Sequence, residues 1–174
     1  GQQPLTIREL CKAAEVTRPT FYNMYKNLQE LRFDLHRCIL DELKEALTKK
    51  TPRPFADIPR REMPEYFTLL FRHIQERRFV YETLFLRQPD AAFMNGVKEL
   101  IRQFVADGIR TSESLAGLLR VPMHHVVPFI TGAYMESIVA WMRNGCEPDA
   151  EVMADTLLEL SLYGPYLELP PMKK

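Results

Sequence analysis

Glycine is scarce in this chain, seven in 174 residues. No stretch alternates apolar and polar residues as a half-buried strand would. Prolines cluster between segments of helical periodicity. Together these exclude a β-rich fold and point to an all-α chain. Cysteine is rare too. Cys11, Cys38 and Cys146 are odd in number, far apart, and match no zinc or CxxC spacing, so they are expected to be reduced, cytoplasmic core residues. Neither charge sign is in excess: 23 basic side chains stand against 23 acidic ones, so no global field draws the chain to nucleic acid. There is no secretory leader pattern and no apolar run long enough to span a bilayer, so no membrane partner is expected. A glycine-rich phosphate loop, HExxH and GxSxG are all missing, and the acidic pairs read as wet helix faces. Catalysis is therefore not expected, nor a cofactor or a metal. The neighbours His124 and His125 do not change this, because adjacent helical residues point about 100° apart and do not share an ion.

What is present begins with an apolar fraction of 46%, enough for a sizeable core. The length fits one domain, or a small one plus a larger one. Residues 5–27 read as two short helices joined by a tight turn. Thr6, with Glu9 three residues on, forms a capping box in front of Ile7, Leu10, Cys11 and Ala14, which share a helical face. Thr17 offers a second N-cap, and Pro19 is tolerated in the first turn because amides there have no helical partner to lose. The second helix buries Phe21 and Tyr25, leaving Arg18, Pro19, Thr20, Tyr22, Asn23 and Lys26 outward. A helix–turn–helix lays such a helix in the DNA major groove. Arg pairs with guanine, Asn with adenine, and Thr and Pro touch a thymine methyl; Lys and the Tyr hydroxyls suit phosphates. An ordinary helical hairpin with a solvated outer face has the same spacing, so spacing alone leaves both readings open.

The residue identities go further. T-I-R-E-L-C-K-A-A-x-V-T-R-P-T-F-Y-x-x-Y-K-N-x-x-E-L, from Thr6 to Leu31, resembles the DNA-binding signature of the TetR family of bacterial transcriptional regulators. That signature is roughly T-(apolar)-x-x-(apolar)-A-x-x-A-G-V-S-x-G-x-(apolar)-Y-x-x-F-x-x-K-x-x-L. The resemblance implies a homodimeric one-component repressor whose N-terminal domain grips an operator half-site and whose larger helical domain senses a small-molecule effector. It places DNA contacts at Thr6, Thr17, Arg18, Pro19, Thr20, Tyr22, Asn23 and Lys26. Three departures stand out. Glu15 replaces the turn glycine, where a left-handed backbone costs a non-glycine residue roughly 1 kcal/mol. Leu28 stands where the family has a phosphate-contacting Lys. The family also carries an amphipathic helix before the Thr, and only GQQPL stands there. On the resemblance a first helix is missing, and the sequence in this form is expected to bind DNA poorly.

Further along, residues 27–50 read as a long helix opened by an Asn27–Glu30 capping box. Leu31, Leu35, Ile39, Leu43 and Leu47 form its stripe, and Lys44, Lys49 and Lys50 suit its C-terminal dipole. The family uses this helix to join its two domains, expected here as residues 1–48 and 49–174. TPRPFADIPRRE is a proline-rich connector. A helix over 63–77 follows, with Pro64 in its first turn and Phe67, Leu70, Phe71 and Ile74 on one face. Arg72, Arg77 and Arg78 read as a solvated cluster. Residues 79–86 form a short apolar helix. Asp90 caps another, to Ile109, with Phe93, Val97, Leu100, Ile101, Phe104 and Val105 inside. Residues 112–119 are a short helix or loop. A second long helix, 122–144, carries Val126, Ile130, Ala133, Tyr134, Ile138 and Trp141 and ends at Gly145.

The last helix, 150–163, is apolar on more than one side and so is expected to be buried on two. A partner chain is the cover that the resemblance implies, through a four-helix bundle from the last two helices of each subunit. Ile130, Ile138, Val152, Met153, Leu157 and Leu160 are the expected dimer residues. A central helix in a monomer is the other reading. A bundle pocket is apolar with a few convergent polar groups, and its candidates are Phe67, Phe71, Phe85, Phe93, Phe104, His124, Tyr134 and Trp141. His73, His125 and Glu136 are further buriable polar groups. Plain core, with surface histidines, is the alternative. In the mechanism that follows, two reading helices sit about one DNA turn, roughly 34 Å, apart on a palindromic operator. An effector releases DNA by favouring a different separation, through its unequal affinity for the two states. The rival reading is a protein–protein adaptor of the same fold that has lost DNA binding, for which Glu15, Leu28 and the absent first helix speak.

Overall fold

The protein's structure, a computed structural model, describes residues 5–48, 65–110, 119 and 121–164. Among these residues there are eight α-helices, one π-helical turn and no strand. They run α1 (Ile7–Ala13), α2 (Arg18–Met24), α3 (Leu28–Thr48), α4 (Glu65–Glu76), α5 (Arg78–Glu82), the π turn Thr83–Arg87, α6 (Ala91–Arg110), α7 (Met123–Arg143) and α8 (Ala150–Tyr163). The connector 51–62, the Pro64 helix start, Lys49, Lys50 and residues 112–118 of the short segment lie outside the described residues. Two compact units form, Gly1–Glu42 and Leu43–Lys174. Their division falls inside α3, between Glu42 and Leu43, and both Leu43 and Leu47 are buried.

In the first unit, local chemistry writes each helix end. The Thr6 hydroxyl accepts from the Glu9 amide at 3.2 Å, and the Thr6 amide donates to Glu9 Oε2 at 2.9 Å. The Thr6 hydroxyl also donates to Glu9 Oε2 at 2.7 Å, and this bond, with the one from the Thr6 amide, holds the Glu9 carboxyl below its ordinary range. α1 stops at Ala13, and Glu15 takes φ +55, the left-handed turn that its position requires. The Thr17 hydroxyl accepts from the Thr20 amide, and Pro19 sits in the first turn of α2. Asn27 Oδ1 accepts from the Glu30 amide at 2.9 Å, while Glu30 reaches back to the Lys26 amide, one residue earlier than a closed box would need. Cys11 and Phe21 are buried, Ile7 and Leu10 half-buried, and Ala14 exposed.

Glu15→Gly follows directly as a test of that turn. Glycine removes the left-handed penalty at a small entropic cost, so the first unit should gain about 0.5–1 kcal/mol. Amide exchange of α1 and α2 reads it; unchanged or faster exchange would mean that the Glu side chain compensates for its own strain.

The α3 stripe does not hold along its length. Ile39, Leu43 and Leu47 are buried, Leu31 is half-buried, and Leu35 is 44% exposed. Residues four apart drift about 40° round a helix, so a run of five cannot all face one neighbour.

In the second unit α4 packs on α8 and α6 on α7. Phe67, Leu70, Phe71 and Ile74 of α4 are all buried, as their spacing predicts. Arg72, outside that face, pairs with Glu151 at the start of α8, its Nε 2.8 Å from Oε1. The expected helix over 79–86 becomes α5 plus the wider π turn, which packs on α6 and α7. Tyr81, Leu84 and Phe85 share its inner side, so Phe79, two residues before Tyr81, points away and is 71% exposed. Asp90 caps α6 by accepting from the Phe93 amide at 3.0 Å. Leu100 and Phe104 are half-buried, at the margins of the stripe formed by Phe93, Val97, Ile101 and Val105. On α7 the buried set is Val127, Thr131, Tyr134, Ile138, Trp141 and Met142; Val126 and Ile130 are half-buried and Ala133 is exposed, so the core face lies about one residue round from the expected one. Gly145, φ +76, ends α7, and its carbonyl accepts from Arg78 Nη1 at 2.8 Å. The indole of Trp141 donates to the Pro148 carbonyl at 2.6 Å, which aligns the α7–α8 turn with the core.

Candidate nucleic-acid interface

α2 is a seven-residue helix with one buried side chain, Phe21. Its ring meets Tyr22 edge-on at 5.5 Å and lies 5.9 Å from Tyr25. Tyr25 donates to Asp34 Oδ2 at 2.8 Å, and Asp34 also pairs with Arg37. The hydrogen bond raises the Tyr25 pKa and, with Arg37, lowers that of Asp34. A sequence-local anchor (Phe21) and a tie to α3 (Tyr25–Asp34) thus set the roll of α2 within its unit. Beside that tie Met24, Tyr25, Glu30, Phe33, Asp34 and Arg37 line an open hollow of about 410 Å³.

Fixing this roll turns the opposite edge to solvent. All eight residues named from the sequence, Thr6, Thr17, Arg18, Pro19, Thr20, Tyr22, Asn23 and Lys26, are exposed. They divide by chemistry. The Thr6 and Thr17 hydroxyls are engaged in caps, and the Thr17 and Thr20 hydroxyls share a 2.8 Å hydrogen bond. Arg18, Asn23 and Lys26 have no side-chain partner among the described residues. The edge therefore offers one guanidinium, one amide and one ammonium ready to bond, beside the Pro19 ring and the half-exposed Tyr22 ring, with the N-terminus of α2 leading.

The aromatic candidates of the second unit fall into neighbouring clusters. Phe67 meets Phe104 at 5.4 Å and Tyr134 at 5.6 Å. Phe71 meets Trp141 edge-on at 5.6 Å. Phe85 and Phe93 lie 6.0 Å apart, and Tyr81, which the sequence reading did not single out, completes a triangle with them at 6.0 and 5.6 Å. Tyr81 could have been found: Phe85 follows it by four residues, so both point the same way. His73 joins this group edge-on to Tyr81 at 5.8 Å. The Tyr134 hydroxyl shares a 2.9 Å hydrogen bond with Ser161, and burial pushes its pKa far up, so it stays neutral. His124 stands apart from all of these. It is exposed in the first turn of α7, its ring 4.1 Å from that of His125. Glu136 is likewise exposed.

Of the expected dimer residues, Val152 and Leu160 are exposed and Ile130 and Met153 are half-buried. Ile138 and Leu157 are 0% and 3% exposed, packed inside the chain itself, because they lie on the inward faces of α7 and α8. Phe129, 76% exposed, is an outward residue that the sequence reading passed over. Among the described residues no helix is long and apolar enough to cross a membrane, and no group of three or more His, Cys, Asp or Glu is placed to hold a metal.

Residues 61–162 match the family model TetR_C_8, described as "Transcriptional regulator C-terminal region". No curated protein and no solved structure matches the chain.

Proposed function

Since the chain belongs to the TetR family of transcriptional regulators, we propose that it is a homodimeric, effector-released repressor that reads a palindromic operator through α1 and α2. The observation that carries this is the exposed, uncommitted edge of α2: Arg18, Asn23 and Lys26 face solvent without side-chain partners among the described residues, while Phe21 and Tyr25 hold the helix from behind. In a helix–turn–helix the N-terminal residues of the second helix meet base edges, so Arg18 suits a guanine and Asn23 an adenine, and Lys26 neutralises a phosphate. The second unit supplies an effector site among its aromatic clusters, with the Tyr134 hydroxyl as polar handle, and presents outward apolar side chains of α7 and α8 to a second copy. An effector acts by favouring one spacing of the two reading helices over another. The family's region and the absence of the usual catalytic motifs support a regulator rather than an enzyme.

Arg18→Ala, in a protein that also carries the amphipathic helix the family has before Thr6, tests the reading. On a duplex selected from a random pool, fluorescence anisotropy should show affinity falling about tenfold to a hundredfold, with relaxed preference at one base position. The dimer should survive, and wild-type affinity should fall steeply with added salt as counterions stay condensed on the DNA. Unchanged affinity for the selected duplex would remove Arg18 from the groove. No selectable duplex at any salt concentration would favour the adaptor of the same fold.

A further inference from the structure

We propose that Arg78 reports the state of the Tyr81–Phe85–Phe93 cluster to the turn between α7 and α8, an inference that rests on the effector site proposed above. Spacing made Arg78 one member of a solvated basic cluster. In the structure it is a cross-tie. Its Nε donates to Glu82 Oε1, and its Nη1 donates to the Gly145 carbonyl at 2.8 Å, 67 residues away in sequence. Glu82 also accepts from Arg87 at 3.3 Å, so one carboxylate, its side chain only 13% exposed, joins both ends of the segment 78–87. That segment carries two of the three rings of the cluster, Tyr81 and Phe85, together with the donor to the distant turn.

The segment is built to respond. α5 has five residues and no side-chain cap at its start, too short to hold its shape without tertiary contacts. The next five residues are wound as a π turn, a form that occurs in single turns and frequently at functional sites. Phe93, the third ring, belongs to the twenty-residue helix α6. A ligand that parts these rings therefore displaces the short segment before the long helix, and Arg78 moves with it. The receiving end is as specific. Gly145 and Cys146 both have left-handed backbones, φ +76 and +60. A non-glycine residue such as Cys146 keeps that shape only while its surroundings over-determine it. The Gly145 carbonyl lies just past the C-terminus of α7, where negative partial charge favours a cation. The planar fork of an Arg can serve this carbonyl and the Glu82 carboxylate at once, which a Lys ammonium matches poorly. Within the turn the Cys146 amide donates to the Trp141 carbonyl at 2.9 Å, and the Trp141 indole to the Pro148 carbonyl. α8 begins two residues after Pro148, so a shift of Arg78 is felt where that helix starts.

The test is a double-variant cycle in the full chain, without any effector. Arg78→Gln should speed exchange of the Cys146 amide about tenfold, the loss of one charge-assisted hydrogen bond. Phe85→Leu, a mild change inside the cluster, should speed it about threefold. Together they should exchange no faster than Arg78→Gln alone, because the tie through which the cluster acts is already cut. Arg78→Lys should behave as Arg78→Gln does. Trp141 is the one tryptophan of the chain, and its emission should move to longer wavelength in step with the exchange rates. Unchanged Cys146 exchange in Arg78→Gln overturns the proposal. So do single-variant factors that simply multiply in the double variant, or equal acceleration at Ile101 of α6, which would mean general loosening. A coupled cycle in a protein whose DNA affinity no small molecule alters would remove the effector reading and leave the tie in place.

Discussion

Phe21→Ala is expected to unfold the first unit while leaving the second standing. Phe21 is one of only three buried apolar residues described in residues 1–42, the others being Cys11 and Ile39. Its ring is also the shared contact of Tyr22 and Tyr25. Truncating a buried Phe costs about 3–5 kcal/mol. A unit this small has little stability to lose, since small domains bury a lower fraction of their surface. The loss therefore exceeds or matches the whole reserve, and α1, α2 and their caps should melt together. Amide exchange checks it by segment: amides of α1 and α2 should exchange near the rate of an unfolded chain, while α4, α6, α7 and α8 keep their protection. The operator binding proposed above should then vanish rather than weaken, in contrast to Arg18→Ala. If α1 and α2 stay protected, the anchor is elsewhere and the account of the roll of α2 is wrong.

Phe67→Ala is the counterpart in the second unit. Phe67 is 1% exposed and packs against both Phe104 and Tyr134, at 5.4 and 5.6 Å. Its loss leaves a cavity between α4, α6 and α7, again costing about 3–5 kcal/mol. Here a larger core absorbs the cost, so the unit remains folded and melts roughly 10 °C lower. Phe104→Ala should cost clearly less, because that ring is only half-buried. The ordering of the two melting shifts by calorimetry is the check. Equal shifts would mean that Phe104 carries packing that its exposure hides. The same cavity would admit water to the Tyr134 hydroxyl, whose pKa is held up chiefly by burial. Its titration should therefore move down toward the ordinary tyrosine value.

The parts of the structure that sequence reading reached are those set within four or five residues. Thr6 with Glu9, Thr17 with Pro19, the Asp90 cap and the Gly145 stop are each decided by a backbone group and a side chain one turn away. The inward face of α4 was legible for a related reason: four large apolar residues at helical spacing leave one solution. Less was legible where a helix is apolar over a wide arc. On α7 the difference between a face through Ile130 and Ala133 and one through Val127 and Thr131 is about one residue of rotation, roughly 100°. Both arcs are hydrophobic, and only the position of α6 and α8 selects between them. The π turn at Thr83–Arg87 was not foreseen, since periodicity does not separate five helical residues from five wound slightly wider. Phe129 was missed because an exposed Phe and a buried one look alike in a sequence.

The sequence alone determined that this chain is helical, where most helices begin and stop, and which short edge near its front is polar and outward, because caps, breakers and periodicity are local interactions. Tertiary structure alone decided which side of each broad apolar helix is core, that Ile138 and Leu157 are buried within the chain while Phe129, Val152 and Leu160 remain outside, and that Tyr81 rather than Phe79 joins the aromatic core. Hydrophobic burial has no direction of its own; it takes one from the neighbours that the rest of the chain brings alongside.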